Sequence, residues 1–170
     1  MTEKLTDKYE TPPEFFNWCS KEFGPFDLDV CASDENHKCK RYFTIKDNGL
    51  SYKNSWESDT FWCNPPYSKP LPWVQRAVAV TGNDIARRGV MLLKLDPSTR
   101  WYALVEDFAK HIVLLAPRLQ FIPSAELSAV RRAIGLPEVM SNNFCSMLAL
   151  FGDWGIWELS EDKYFFRRWK

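Results

Sequence analysis

The stretch Thr60-Phe61-Trp62-Cys63-Asn64-Pro65-Pro66-Tyr67-Ser68 sets strand-forming residues ahead of a carboxamide, two prolines and a tyrosine. These residue types suit group transfer to a planar amine. Such a nitrogen is a poor nucleophile, because its lone pair is delocalised into a ring or carbonyl. The side-chain oxygen of Asn64 and a backbone carbonyl can accept its two N–H bonds. That draws the nitrogen toward a pyramidal shape and aims its lone pair at a donor methyl. Acceptors already in place at the transition state need no reorganisation. Pro65 and Pro66 hold φ at about −65° and bias the residues before them toward extended backbone, so the Pro65 carbonyl is fixed. Tyr67 offers a flat face for stacking a substrate ring. The plainer alternative is a strand ending in a proline-stiffened turn with a packed tyrosine.

The elements that must position this stretch are legible on both sides of it. Thr11-Pro12-Pro13-Glu14 reads as a helix start, with Thr11 as cap, proline in the first turn and Glu14 completing a capping box. Phe15, Phe16, Cys19 and Phe23 follow on one apolar face, and Gly24-Pro25 ends the helix. Phe26 to Ala32 reads as a strand whose Asp29 falls near its C-terminal end, where open α/β sheets bind ligands. Arg41 to Ile45 is a candidate strand, and Asp47-Asn48-Gly49 a turn. Beyond the central stretch, Pro70 to Thr81 is helical, with Trp73, Ala77 and Val80 on one side. Gly89 to Leu95 is a buried strand by its apolar run. A helix opened by Asp96 to Thr99 puts Trp101, Leu104, Val105 and Phe108 on a core-facing stripe. His111 to Ala116 is the next strand, and this alternation is the mark of a parallel α/β sheet. Pro123 to Asn143 reads as a flap or long loop. Phe144 to Phe151 and Ile156 to Leu159, around Gly152-Asp153-Trp154-Gly155, read as a closing antiparallel hairpin.

Composition bounds the function classes. A chain of 170 residues suits a single domain spanning residues 1–170, with no linker, repeat or low-complexity tract. Lys plus Arg equals Asp plus Glu, at 22 each, so any nucleic-acid surface must be local. Lys38/Lys40/Arg41, Arg87/Arg88, Arg131/Arg132 and Arg167-Arg168-Trp169-Lys170 are the candidates, against the alternative of ordinary solvated charges. No apolar run is long enough for a membrane span, and Met1 to Leu5 lacks a signal-peptide core. The odd count of five cysteines points to a reducing cytoplasm. Cys31, His37 and Cys39 lack a fourth ligand at suitable spacing, so no metal site is expected.

Asn64-Pro65-Pro66-Tyr67 after a strand resembles the catalytic motif of S-adenosylmethionine-dependent amino-methyltransferases. The likeness extends in order through Thr11-Pro12-Pro13, Phe26 to Ser33, Asn48-Gly49-Leu50, Trp56, Asn64 to Ser68, Trp73-Val74, Arg118-Leu119-Gln120-Phe121 and Ser146-Met147-Leu148. Over about residues 9 to 151 the chain is similar to the bacteriophage and prophage DNA N6-adenine methyltransferases, a minimal Dam-like family. The resemblance implies a Rossmann-like methyltransferase sheet with helices on both faces. The sheet would be abbreviated, because only some 35 residues separate Asp29 from Asn64. The implied cofactor is S-adenosylmethionine and the implied partner is double-stranded DNA, with the target adenine flipped out of the duplex.

Carried across, Asn64, Pro65, Pro66 and Tyr67 are catalytic, and Asn64 also binds the cofactor. Thr11 and Pro12 lie near the methionine carboxylate, and Asp29 lies under the amino group or sulfonium. Cys31 and Ala32 stand where the family has a glycine-rich turn. Trp56 stacks on the cofactor adenine or belongs to the core. Tyr67, Ser68 and Lys69 meet the substrate, Arg118 contacts it, and Phe121 takes the second face of the base. Two other readings stand beside this one: an amino-methyltransferase acting on RNA or a protein glutamine, and a catalytically silent nucleic-acid or partner-binding module. Recognition sequence and oligomeric state are not legible.

Overall fold

The computed structural model describes residues 7–137, 143–154 and 164–169. Its elements in chain order are β1 (Tyr9–Glu10), α1 (Pro13–Phe23), β2 (Leu28–Asp29), β3 (Arg41–Tyr42), β4 (Ser58–Cys63), α2 (Leu71–Gly82), β5 (Ala86–Lys94), α3 (Arg100–Phe108), β6 (His111–Ala116), β7 (Ile122–Pro123), α4 (Ala125–Ala133), β8 (Ser146–Gly152) and β9 (Tyr164–Arg168). The class is α/β. A seven-stranded sheet runs β3-β2-β4-β5-β8-β6-β9, and β1 pairs antiparallel with β7 in a small ribbon beside it. Within the large sheet β8 alone is antiparallel to its neighbours.

Side-chain alternation along the central strands builds a core on each face of the sheet. Phe61, Cys63, Met91, Leu93, Ile112, Met147 and Ala149 point to one face, where α2 contributes Trp73, Val74, Ala77 and Val80 and α3 contributes Trp101 and Val105. Trp62, Val90, Leu92, Val113, Leu148 and Leu150 point to the other, where α1 contributes Phe15, Cys19 and Phe23. Helices therefore cover both faces, as expected. Gly89 is required by packing: a Cβ there would lie 2.0 Å from the Phe61 ring. The sheet is abbreviated, since no helix intervenes between β2 and β4. Among the described residues no helix is long and apolar enough to cross a membrane.

Several local expectations are corrected. The N-cap of α1 is Pro12, with no side-chain cap, because the Thr11 hydroxyl is engaged elsewhere. Phe108 is 56% exposed, so the buried stripe of α3 stops at Val105, where the helix is about to turn into β6. The supposed loop from Pro123 contains α4, whose Ser124 side chain accepts from the Leu127 amide at 3.2 Å. The closing hairpin is replaced by a different arrangement. β8 has β5 and β6 as its two neighbours, so it has no free edge for a hairpin partner. The edge strand is β9, parallel to β6. Ile156 to Leu159 lie outside the described residues.

Candidate active site

The chain leaves β2 toward β3 on one side of the sheet and leaves β4 toward β5 on the other. Such a reversal opens a crevice at the carboxyl ends of the two strands, the general ligand position in open α/β sheets. A cavity of about 490 Å³ lies there. Cys31, Ala32 and Ser33 after β2 and Asn64 and Pro66 after β4 form its floor, while Asp7 to Glu10 and Ser124 to Glu126 close over it.

Asp29 organises the loop that follows β2. Its Oδ1 accepts from the Cys31 amide at 3.2 Å and its Oδ2 from the Lys38 amide at 2.9 Å. Asp29 is buried beneath the cavity wall. Burial pushes its carboxyl up to about 6, against the opposing pull of the Lys38 and Cys31 amides and the nearby Lys38 and His37 charges. A carboxylate holding two amides does here what a glycine-rich turn does by backbone freedom. Burial also raises the Glu10 carboxyl and lowers the Lys38 ammonium, which lies in the field of both Glu10 and Asp29.

The loop after β4 is held on several sides. Asn64 donates through Nδ2 to Thr11 Oγ1 at 3.1 Å, and Thr11 is itself 1% exposed. Its Oδ1 accepts no hydrogen bond among the described residues, and neither does the carbonyl of the buried Pro65. The Pro66 carbonyl accepts from Lys69 N at 3.0 Å, which closes the turn. Ser68 donates from N and Oγ to the two oxygens of Asp7, at 3.0 and 2.6 Å. Tyr67 is half-buried and meets Phe121 and Phe144 edge-on, each with ring centroids 5.6 Å away. Its hydroxyl is buried without a hydrogen-bond partner, and burial drives the phenol's pKa upward.

The structure thus brings Asn64, Pro66, Cys31 and Ala32 onto one cavity, with Asp29 below and Thr11 behind. Other expected residues stand elsewhere. Trp56 is fully buried, donates from Nε1 to the Gly49 carbonyl at 2.7 Å, and packs on Phe61 and Trp73; it belongs to the core and has no face for a cofactor. Thr11 bonds Asn64, and Pro12 borders a second cleft, so neither faces the cavity beside Cys31. Ser68 is committed to Asp7. Phe121 is buried against Tyr67 at 85°, so the two rings leave no parallel slot between them for a base. Lys69 and Arg118 are exposed, and Arg118 lines the second cleft. Sequence reasoning missed Asp7, Lys8, Glu10, Ser124 and Glu126. Only Ser124 carried a signal, as a serine opening a helical stretch with an acidic first turn.

Chemically, the cavity joins Asn64, whose Oδ1 accepts from no described residue, to an acidic wall, with the Pro65 carbonyl next to Asn64 in the chain rather than on the lining. Glu10 and Glu35 line it, Asp29 lies beneath, and the Lys8 cation is taken up by an ion pair with Glu126. That combination fits a cationic donor on one side and an N–H-bearing acceptor of the transferred group on the other.

Residues 1–158 match the family described as DNA N-6-adenine-methyltransferase (Dam). A protein of Haemophilus phage HP1 named DNA N-6-adenine-methyltransferase is 36% identical over 148 residues, covering 85% of this chain and 78% of its own length. A protein of the same name from Escherichia phage T1 is 31% identical over 112 residues, covering 65% of this chain and 45% of its own.

Proposed function

The chain belongs to the DNA N-6-adenine-methyltransferase (Dam) family, and on that premise we propose how its site transfers a methyl group to N6 of adenine in DNA. S-adenosylmethionine, when bound, supplies a methyl group on positively charged sulfur. The cavity suits it in size and charge: Cys31 and Ala32 offer loop backbone, and Glu10, Glu35 and Asp29 offer the field a cation needs. The sheet fits a Rossmann-like methyltransferase layout in placing this cavity where the strand order reverses.

Asn64 carries the reaction. Its Oδ1 and the Pro65 carbonyl accept the two N–H bonds of the adenine amine. Neither oxygen accepts from a described residue, Thr11 holds the Asn64 amide and the two proline rings stiffen the Pro65 backbone, so neither must reorganise as the nitrogen pyramidalises. Thr11 holds the amide from behind, and Asp7 holds the loop through Ser68. After transfer the substituted nitrogen is strongly acidic, so its proton passes to water and no dedicated base is needed. An adenine inside a duplex is out of reach of this recessed site, and flipping it out costs a few kcal/mol. Stacking on Tyr67 offsets part of that, and Phe121 and Phe144 set the attitude of the Tyr67 ring.

The observation that carries the reading is the Asn64 side chain on the cavity wall, anchored through Nδ2 and open at Oδ1. Its test is transfer of labelled methyl to duplex DNA, single-stranded DNA, RNA and protein by the parent chain and by Asn64→Ala. Label at adenine in DNA is expected, and the variant is expected to lose about 10²–10³ in kcat while binding the methyl donor as the parent does. Label confined to RNA or protein, or a variant as fast as the parent, would refute it.

A further inference from the structure

Leaving β6, the backbone alternates between solvent and core. Pro117, Arg118, Gln120 and Ile122 face out, while Leu119, Phe121 and Pro123 are buried. The segment is pinned at both ends. Trp169 donates from Nε1 to the Pro117 carbonyl at 3.0 Å and from its amide to Ala116 at 3.3 Å, and Ile122–Pro123 pairs with Tyr9–Glu10. Between the pins, Phe121 leans edge-on against Tyr67. Arg118 and Gln120 line a cleft of about 370 Å³, with Glu14 of α1 and Trp169 also on its wall.

We infer that this cleft reads bases flanking the target adenine, through Arg118, Gln120 and Glu14. The inference rests on the DNA reading above. None of the three side chains has a hydrogen bond or ion pair with a described residue, so none must break a contact to engage a ligand. A guanidinium matches the O6 and N7 acceptors of guanine, a carboxamide matches N6 and N7 of adenine, and a carboxylate accepts from cytosine N4. The carboxylate also distinguishes a base from a phosphate as occupant. Glu14 would repel a phosphate drawn to Arg118, whereas a base edge presents a donor to one and acceptors to the other. Rigid backbone supplies the remaining requirement, because side chains on a wandering loop discriminate poorly. The Phe121–Tyr67 contact places the cleft next to the stacking tyrosine, within reach of neighbouring nucleotides.

The test uses a pool of duplexes carrying one adenine between randomised flanks, with methylated products sequenced. The full chain is expected to prefer particular flanking bases. Arg118→Ala and Gln120→Ala should each flatten the preference at one position, lowering discrimination there about tenfold to a hundredfold. Arg118→Lys is the sharper variant, since it keeps the charge and loses the planar fork. It should flatten the same position as Arg118→Ala. Both side chains are exposed, and thermal melting of each variant confirms folding. A uniform loss of rate with an unchanged profile in Arg118→Ala would assign Arg118 to phosphate and overturn the inference. So would a parent chain indifferent to flanking bases. A parent chain that methylates no adenine in DNA would instead bring down the reading on which the inference rests.

Discussion

At the scale of single residues, the site depends on which atom Asn64 leaves unsatisfied. A carboxamide facing the substrate with its NH₂ group would meet amine donors with donors. The Thr11 hydroxyl, buried and 3.1 Å from Nδ2, holds the amide with its oxygen outward. Thr11→Val keeps the shape and removes the hydroxyl. It is expected to lower kcat about tenfold or more, in line with losing part of one preorganised acceptor, while the affinity for the methyl donor stays unchanged and Thr11→Ser restores the rate. Equal changes in KM and kcat would indicate a structural role only. Asp29 gives the second residue-scale expectation. Its folded carboxyl titrates at about 6, above the ordinary 3.8, so its contribution to stability is present below that ordinary value and is lost as pH rises through 6. A cationic ligand favours the ionised form. Calorimetry between pH 5 and 7.5 should therefore show S-adenosylmethionine binding severalfold tighter as pH rises, then levelling. With Asp29 near the sulfur, the demethylated product, whose sulfur is neutral, should change less; equal slopes for the two ligands would place Asp29 at the amino group they share.

At the scale of elements, the segment before α1 does more than lead into a helix. Asp7 takes both donors of Ser68, the Lys8 carbonyl accepts from Ser124 N at 2.9 Å, Tyr9–Glu10 pairs with β7, and Thr11 holds Asn64. One strap thus ties the β4 loop to α4 across the cavity. Asp7→Ala frees the Ser68 end and is expected to reduce kcat about tenfold, with a melting temperature lower by a few degrees. Full activity with the same melting loss would show that the clamp serves stability alone. None of this was visible in the sequence, because Asp7 to Glu10 shows no periodicity and its partners lie 61 or more residues away. The long strands β5 and β6 and helices α1 and α2 were legible, since their apolar periods run over several turns or alternations. Strands β2 and β3 were anticipated but drawn too long, and helix α4 and strand β9 were missed. Two-residue strands are defined by their neighbours, and β9 is placed by pairing with β6. Trp56 shows the same limit at one position: its type fits a stacking platform or a core equally, and only the fold, by closing it off at 0% exposure, decides.

At the scale of the whole molecule, a chain with no net charge must hold a polyanion through charges gathered on one side. The sheet arranges this. β4, β6 and β9 run in the same direction, so their C-terminal ends share an edge, and Lys69, Arg118 and Arg168 all lie at or just beyond those ends. Lys110, by contrast, precedes β6 and lies at the opposite edge. Each cation that meets a phosphate contributes about −0.9 to the slope of log K against log salt. Lys69→Ala and Arg168→Ala are therefore each expected to shallow the measured slope by roughly one, while Lys110→Ala leaves it unchanged. Fluorescence anisotropy with a labelled duplex over a salt series reads this directly. A slope that responds to Lys110 and ignores Lys69 and Arg168 would place DNA on the wrong edge of the sheet. The cavity would then face away from its substrate, and the mechanism built on Asn64 could not operate.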